Sequence, residues 1–367
     1  MKLVVFGLTI SSSWGNGHAT LWRGLCRSLT AMGWTVVFYE RNLPFYAQAR
    51  DFVDMPGRGA LRLYGDWADV EQNAQRDLQD ADAAIVTSYC PDGIAATELI
   101  VRSPCARRVF YDLDTPVTLD DLEQGRPLSS IGARGLRDFD LVLSFTGGPA
   151  LEILRDKLGA TRVAPLYGHA DPDVHRAAPG EARLASSLSY LGTYAADRQA
   201  ALTELFVEPA RRLPGERFLM AGAQYPDDFP WTSNIHFLRH LPPQDHSAFF
   251  CSARLSLNVT RASMSAMGWC PSGRLFEAAA CGAAQLSDAW PGLCDFFTPG
   301  EDLLIAGTAQ EALDALALSD IELARIGRNA RDNVIARHTS ARRAQELVQL
   351  LDSVGAPGAI LEPAAGA

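Results

Sequence analysis

The chain has 367 residues, 47% of them apolar and 21% charged, and a net charge of −10. This composition excludes a disordered chain, a collagen and a disulfide-stapled miniprotein, and at about 150 residues per domain the length predicts two domains. An acidic balance with no block of like charge argues against a sequence-blind nucleic-acid binder, which needs a basic footprint. Seven scattered cysteines without a C-x-x-C predict neither a disulfide framework nor a zinc site and fit a reducing cytoplasm. The short apolar run after Met1-Lys2 reads as a buried strand, not a signal peptide, and no run reaches the roughly 18 apolar residues of a membrane helix.

In chain order, LVVFGLTI (3–10) predicts a first strand and Ser11–Gly17 a loop. A helix follows with Leu21, Leu25, Leu29 and Met32 on one face, ended by Gly33. Strands are predicted at 35–40, 83–89, 107–112 and 141–145, with helical stretches between them. The pattern restarts with strands at 188–194, 217–222, 235–238, 254–259 and 283–287, a helix over 197–212, and a helix capped by Ser272. Thr308-x-x-Glu311 and Ser319-x-x-Glu322 read as capping boxes. A last helix over 339–351 shows Ala344, Leu347, Val348 and Leu351 on one face. Such alternation predicts α/β architecture with mostly parallel sheets covered on both faces. The expected divisions are a first domain at 1–168, a linker at 169–184, a second domain at 185–336, a returning helix at 337–354 and a disordered tail at 355–367.

Four loops carry candidate chemistry. Trp14-Gly15-Asn16-Gly17 opens the first helix, where free N–H groups favour an anion, and His18 is either a general base, a phosphate or hydroxyl contact, or a helix-cap histidine. The loop is not G-x-G-x-x-G, so a dinucleotide is weakly supported. Asp112-x-Asp114 at a strand end could hold a divalent cation, supply a base, or simply form an Asx-turn before Pro116. Thr146-Gly-Gly-Pro149 reads as a tight turn. The strongest signal is Asn258-Val-Thr-Arg261 with the helix opened by Ser272-Gly273-Arg274. A cation in a helix's first turn opposes the dipole, as expected if Arg274 pairs with an anion. Glu277 shares its face, either as a salt-bridge partner or as the acceptor of a ribose diol.

Phe276-Glu-Ala-Ala-Ala-Cys-Gly282, with Leu-Ser-Asp288 and Trp-Pro-Gly-Leu293, resembles the nucleotide-sugar site of GT-B glycosyltransferases, most nearly the spore-maturation (CgeB-like) branch with a group 1 C-terminal domain. The segments around His18, Asp112–Pro116, Pro165–Gly168 with Asp171-Pro172, Tyr190–Tyr194 with Asp197-Arg198, Asn258–Arg261 and His338-Thr339 extend the resemblance over about 1–350. It implies two Rossmann-like βαβ domains with parallel sheets facing across a cleft and a C-terminal helix crossing back. The donor would sit on the second domain, at Glu277, Arg274, Arg261, Ser272, Gly273, Arg198, Thr193 and Tyr194, and the acceptor on the first. Glu277 matches the second glutamate of the group's Glu-x7-Glu motif, while Trp269 replaces the first.

The resulting expectation is a cytoplasmic hexosyltransferase that moves a sugar from a nucleoside-diphosphate sugar, UDP-type, to a hydroxyl or amine of a small molecule or glycan. It would act without a metal, with His18, Asp114 or Asp112 taking the proton. Two alternatives stand beside it: a metal-dependent GT-A transferase built on Asp112 and Asp114, and a degenerate GT-B scaffold that binds glycans or partners. No cofactor, nucleic-acid partner or membrane segment is expected.

Overall fold

The computed structural model describes residues 1–15 and 17–354; Asn16 and the expected tail 355–367 lie outside the described residues. The chain divides into two compact units: Met1–Tyr167 with the described part of Ser340–Ala367, and Gly168–Thr339.

The first unit is built on a seven-stranded parallel sheet, β1 (Lys2–Gly7), β2 (Thr35–Arg41), β3 (Ala60–Tyr64), β4 (Ala83–Thr87), β5 (Arg108–Asp112), β6 (Leu141–Ser144) and β7 (Val163–Pro165), in the order β3-β2-β1-β4-β5-β6-β7. Leu3, Val4, Val5 and Phe6 are fully buried because helices cover both faces. β3 and β7 escape the sequence reading for physical reasons. β3 lies at the sheet edge, and its Arg62 and Leu63 are exposed, which blurs the apolar pattern. β7 is only three residues long.

Trp22, Leu25, Cys26 and Leu29 of the His18–Ala31 helix pack with Ala344, Leu347 and Leu351 of the final helix, Ser340–Asp352. Ser28 and Ser340 join their hydroxyls at 2.9 Å. Arg107 and Arg343 add bonds from their Nε atoms to the Leu351 and Tyr167 carbonyls at 2.8 and 3.2 Å. The apolar face expected of the last helix therefore completes the core of the first unit.

The second unit holds a six-stranded parallel sheet, β8 (Ser186–Leu191), β9 (Phe218–Ala221), β10 (Ile235–Leu238), β11 (Ala253–Asn258), β12 (Gln285–Ser287) and β13 (Leu304–Ile305), in the order β10-β9-β8-β11-β12-β13. The helix expected over 197–212 is interrupted. A π segment at Thr203–Val207 separates Gln199–Leu202 from Glu208–Arg212. Pro209 has no N–H to give to an i−4 carbonyl, which accounts for the changed hydrogen-bond register. Thr308 and Glu311 form the full reciprocal capping box, whereas at Ser319 the hydroxyl accepts from the Glu322 N–H. The stretch 169–184 is tied into the second unit. His169, Ala170, Asp171 and His175 are buried, and Ala170 bridges to Thr339.

Gly327 lets the Asp320–Arg337 helix meet the chain reversal at Gly282, because a Cβ there would collide with the Gly282 carbonyl. Backbone cannot yield as a flexible side chain does. Gly327→Ala is expected to cost about 1–3 kcal/mol. Urea unfolding would check this, and an unchanged midpoint would show that the helix shifts freely.

Candidate functional site

In parallel α/β sheets, ligands gather at the carboxyl ends of the strands where the strand order reverses. Each unit has one such point. In the first it lies between β1 and β4, and in the second between β8 and β11. The residues singled out in the sequence cluster at these two places.

In the first unit the loop after β1 is held from below by Glu40, which is fully buried on β2. Its carboxylate accepts the Ile10 and Ser11 N–H groups at 2.7 and 2.9 Å, together with the Ser11 hydroxyl. Trp14 donates its N–H to the Ser12 hydroxyl at 3.3 Å, and Gly15 and Gly17 are exposed. His18 begins the first helix, and burial lowers its pKa from 6.5 to about 4. The ring is therefore neutral at pH 7 and able to accept a proton.

Across the switch point, Tyr89 follows β4 with φ +63°, a left-handed backbone that bulky side chains rarely adopt. Its ring centre lies 5.9 Å from that of His18, and its hydroxyl donates to Asp114 Oδ2 at 2.9 Å. Such strain persists only where the surroundings enforce it, and it concentrates at functional sites. The sequence reading missed both Tyr89 and Glu40. Backbone strain leaves no trace in residue type, and Glu40, beside Arg41 at the end of β2, reads as a solvated strand end.

Asp112 and Asp114 separate in character. Asp112 is fully buried, its Oδ1 accepting from Asp114 N–H at 3.2 Å and Thr118 Oγ1 at 3.1 Å. Asp114 is half-buried at the start of the Thr115–Glu123 helix and faces Tyr89. Among the described residues, the pair belongs to no trio of His, Cys, Asp or Glu close enough to hold a metal ion. Thr146 and Gly147 form the tight turn before the Pro149–Leu158 helix.

In the second unit the β8 exit runs Leu191-Gly192-Thr193-Tyr194 into the turn that carries Arg198. Arg198 donates to the Thr193 carbonyl at 3.1 Å, and its Nε is buried without a hydrogen-bond partner. Burial lowers the Arg198 pKa. Tyr190 and Asp197 oppose that shift, while Arg274 and Arg261 push the same way. Arg274 and Arg261 thus both repel the Arg198 guanidinium. Arg261 is set by Asp288, which accepts from Thr260 N and Oγ1 at 3.0 and 2.9 Å, and it pairs with Asp197 at 3.3 Å.

Arg274 lies over the Tyr190 ring, 5.6 Å from its centre, and donates to the Leu191 carbonyl. A Cβ on Gly192 would strike both the Arg274 guanidinium and the Tyr190 hydroxyl, so only glycine leaves this space. Tyr194 packs on Tyr225, whose hydroxyl donates to the Gly192 carbonyl at 3.0 Å. Ser272 precedes the Gly273–Ala280 helix, but its hydroxyl does not cap the helix as expected. It accepts from Arg274 Nε at 3.2 Å instead. Glu277 is 8% exposed on the same helix. Trp269, in the place of the motif's first glutamate, has φ +44° and donates its indole N–H to Asp295 at 2.6 Å.

Comparison with known proteins finds a matching family domain and similar folds. A glycosyl transferase-like family matches residues 198–349, the stretch that holds Arg198, Arg261, Arg274 and Glu277. The chain carries a glycosyl transferase-like domain on a GT-B fold. No curated protein matches the sequence.

Several solved structures share the fold. The sucrose-phosphate synthase of Thermosynechococcus elongatus is 14% identical with a TM-score of 0.69, covering 96% of this chain and 99% of that one. An alpha-glucosyltransferase in complex with UDP-glucose and abasic-site DNA is 11% identical with a TM-score of 0.68, covering 96% and 99%. Anabaena Alr3699/HepE in complex with UDP-glucose is 13% identical with a TM-score of 0.67, covering 96% and 100%. The fold expectation of two parallel-sheet Rossmann-like units is met, and a single-domain GT-A arrangement does not fit it. No described helix of this chain is long and apolar enough to cross a membrane.

Proposed function

We propose that the protein transfers a sugar from a nucleoside-diphosphate sugar of the UDP type to a hydroxyl or amine of a small-molecule or glycan acceptor, without a metal in the transfer step. The observation that carries this reading is the convergence of Arg198, Arg261 and Arg274 at the β8–β11 switch point. Arg274 and Arg261 both press on the half-buried Arg198 guanidinium, and a diphosphate relieves the conflict.

As the bond between the anomeric carbon and the diphosphate breaks, its electron pair passes to the leaving phosphate. These three groups and the free N–H groups at the start of the Gly273–Ala280 helix meet that charge where it develops. Glu277 takes the ribose hydroxyls, and Thr193 and Tyr194 border the same loop. In the first unit His18, neutral at pH 7, takes the acceptor's proton, with Asp114 and Tyr89 beside it. The UDP complexes among the fold neighbours support the choice of nucleotide. The −10 net charge favours a small or glycan acceptor over DNA.

Calorimetry with UDP and uridine tests the reading. Arg274→Ala is expected to weaken UDP about 10- to 100-fold, since a hydrogen bond to a charged group contributes about 1.5–3 kcal/mol. Uridine affinity should change far less, whereas Glu277→Ala should weaken both ligands. Equal losses for UDP and uridine in Arg274→Ala would refute the diphosphate assignment.

A further inference from the structure

On the donor helix, Glu277 meets two histidines that the transfer reading does not use. His175, His246 and Glu277 each offer one ligand atom, and these atoms lie within 4.8 Å of one another. His175 is 3% exposed, and its Nε2 stands 3.9 Å from Glu277 Oε1. The two imidazole rings are 6.3 Å apart, centre to centre, and 26° from parallel. Nothing in the sequence singles out either histidine, because His175 falls in a Pro-, Gly- and Asp-rich stretch that reads as a linker.

His246 is already in a form that binds a metal. Its Nε2 faces the Leu241 carbonyl at 3.2 Å, and a carbonyl only accepts, so the proton sits on Nε2. Nδ1 keeps its lone pair, buried and without a hydrogen-bond partner. A histidine bound to metal through one nitrogen and tied to a carbonyl through the other is the usual arrangement, since the second bond fixes tautomer and ring direction. His175 is less ready. Its Nδ1 accepts from Asp171 N–H at 3.4 Å, so ligation through Nε2 must displace a proton and give up that long bond.

Two imidazoles and one carboxylate form the three-ligand set that suits Zn²⁺ with a fourth position open, and the nitrogens select against Mg²⁺ and Ca²⁺. Bonds of about 2.0–2.2 Å require the side chains to draw in by roughly 1 Å. We propose that His175, His246 and Glu277 form a site for a divalent transition cation of the Zn²⁺ class, and that filling it withdraws Glu277 from the donor ribose. The cation site stands on its own geometry, and the exclusion of donor rests on the function proposed above. Metal and nucleotide then oppose each other reciprocally, each weakening the other by the same factor.

The test uses the full chain, stripped of metal and titrated with Zn²⁺ against a chromophoric chelator. One ion per chain is expected, with affinity at least 10-fold weaker in His246→Gln and in His175→Gln, while Mg²⁺ does not compete. Melting curves confirm that the variants are folded. UDP affinity should fall at least 10-fold when Zn²⁺ is present, and this loss should vanish in His246→Gln. The variant experiences the same chelation of Zn²⁺ by free UDP and so isolates the effect of the site. No Zn²⁺ binding, or binding unchanged in both variants because an adventitious ion only is held elsewhere, overturns the site. Zn²⁺ bound as expected with UDP affinity unaffected overturns the exclusion. If Zn²⁺ binds through both histidines and UDP binds nowhere, the cation site is upheld and the donor reading fails by itself.

Discussion

Replacing His18 with alanine is expected to lower turnover by about 10²–10⁴-fold while leaving UDP affinity within about 2-fold, the range that general-base catalysis supplies. The separation of the two effects follows from position. His18 opens the first helix of the first unit, whereas the proposed donor groups all belong to the second. Its pKa gives the expectation a second arm. Burial holds the imidazole near 4, below the ordinary 6.5, so the base stays unprotonated as the pH falls through 6 and 5. A kcat/KM profile governed by His18 should keep most of its activity at pH 5 and bend downward near pH 4. A bend near 6.5 would mean that the ring is more exposed to water than the structure shows. Near-wild-type turnover in the alanine variant would move the role to Asp114, which Tyr89 holds in place.

Asp112→Asn is expected to stabilise the protein above pH 6, by up to about 3 kcal/mol, with the gain fading to nothing at about pH 4. Burial pushes this carboxyl from 3.8 up to about 6, the Asp114 charge helps, and bonds from Asp114 N–H, Thr118 and Ser88 partly offset the rise. Between those two values the unfolded chain has released its proton and the folded chain still holds it. The contribution of this carboxyl is therefore fully present below pH 4 and is lost as pH rises through 6, by about 1.4 kcal/mol for each pH unit of separation. Asparagine keeps an oxygen for Asp114 N–H and Thr118 but has no charge to bury. His18 contributes with the opposite sign, adding stability as pH rises from about 4 to 6.5, yet it does so in both proteins and cancels from the comparison. Urea unfolding at pH 4 and pH 8 measures the difference. A gap of equal size at both would show that the buried carboxylate is not its source.

The parts of the fold that were legible in the sequence are those where one local force dominates. Buried parallel strands such as β1 and β4 announce themselves as continuous apolar runs, and the Thr308–Glu311 capping box is written in two residues. The edge strand β3 and the π segment at Thr203–Val207 depend on neighbours, so their own residues carry little signal.

The candidate site divides along the same line. Arg261, Arg274 and Glu277 stood out because their residue types conflict with, or are rare in, the elements that carry them. Tyr89 becomes notable only through its left-handed backbone and its neighbours, which a sequence does not display. His175 and His246 lie 71 positions apart in the chain and meet only because the 169–184 stretch folds back into the second unit. Ser272 shows the converse error. The residue type is right for a cap, but the adjacent Arg274 takes its oxygen.

The packing of Ser340–Asp352 on His18–Ala31 also bears on how the protein is made. A ribosome delivers the first 167 residues long before the helix that closes over Trp22, Leu25 and Leu29. Until that helix emerges, these apolar side chains stay uncovered while the whole second unit is being synthesised. The usual order, in which an N-terminal domain finishes folding before the next one begins, is denied to this chain. The first unit is completed only after the second has been synthesised, and until then its nascent form keeps an uncovered apolar flank.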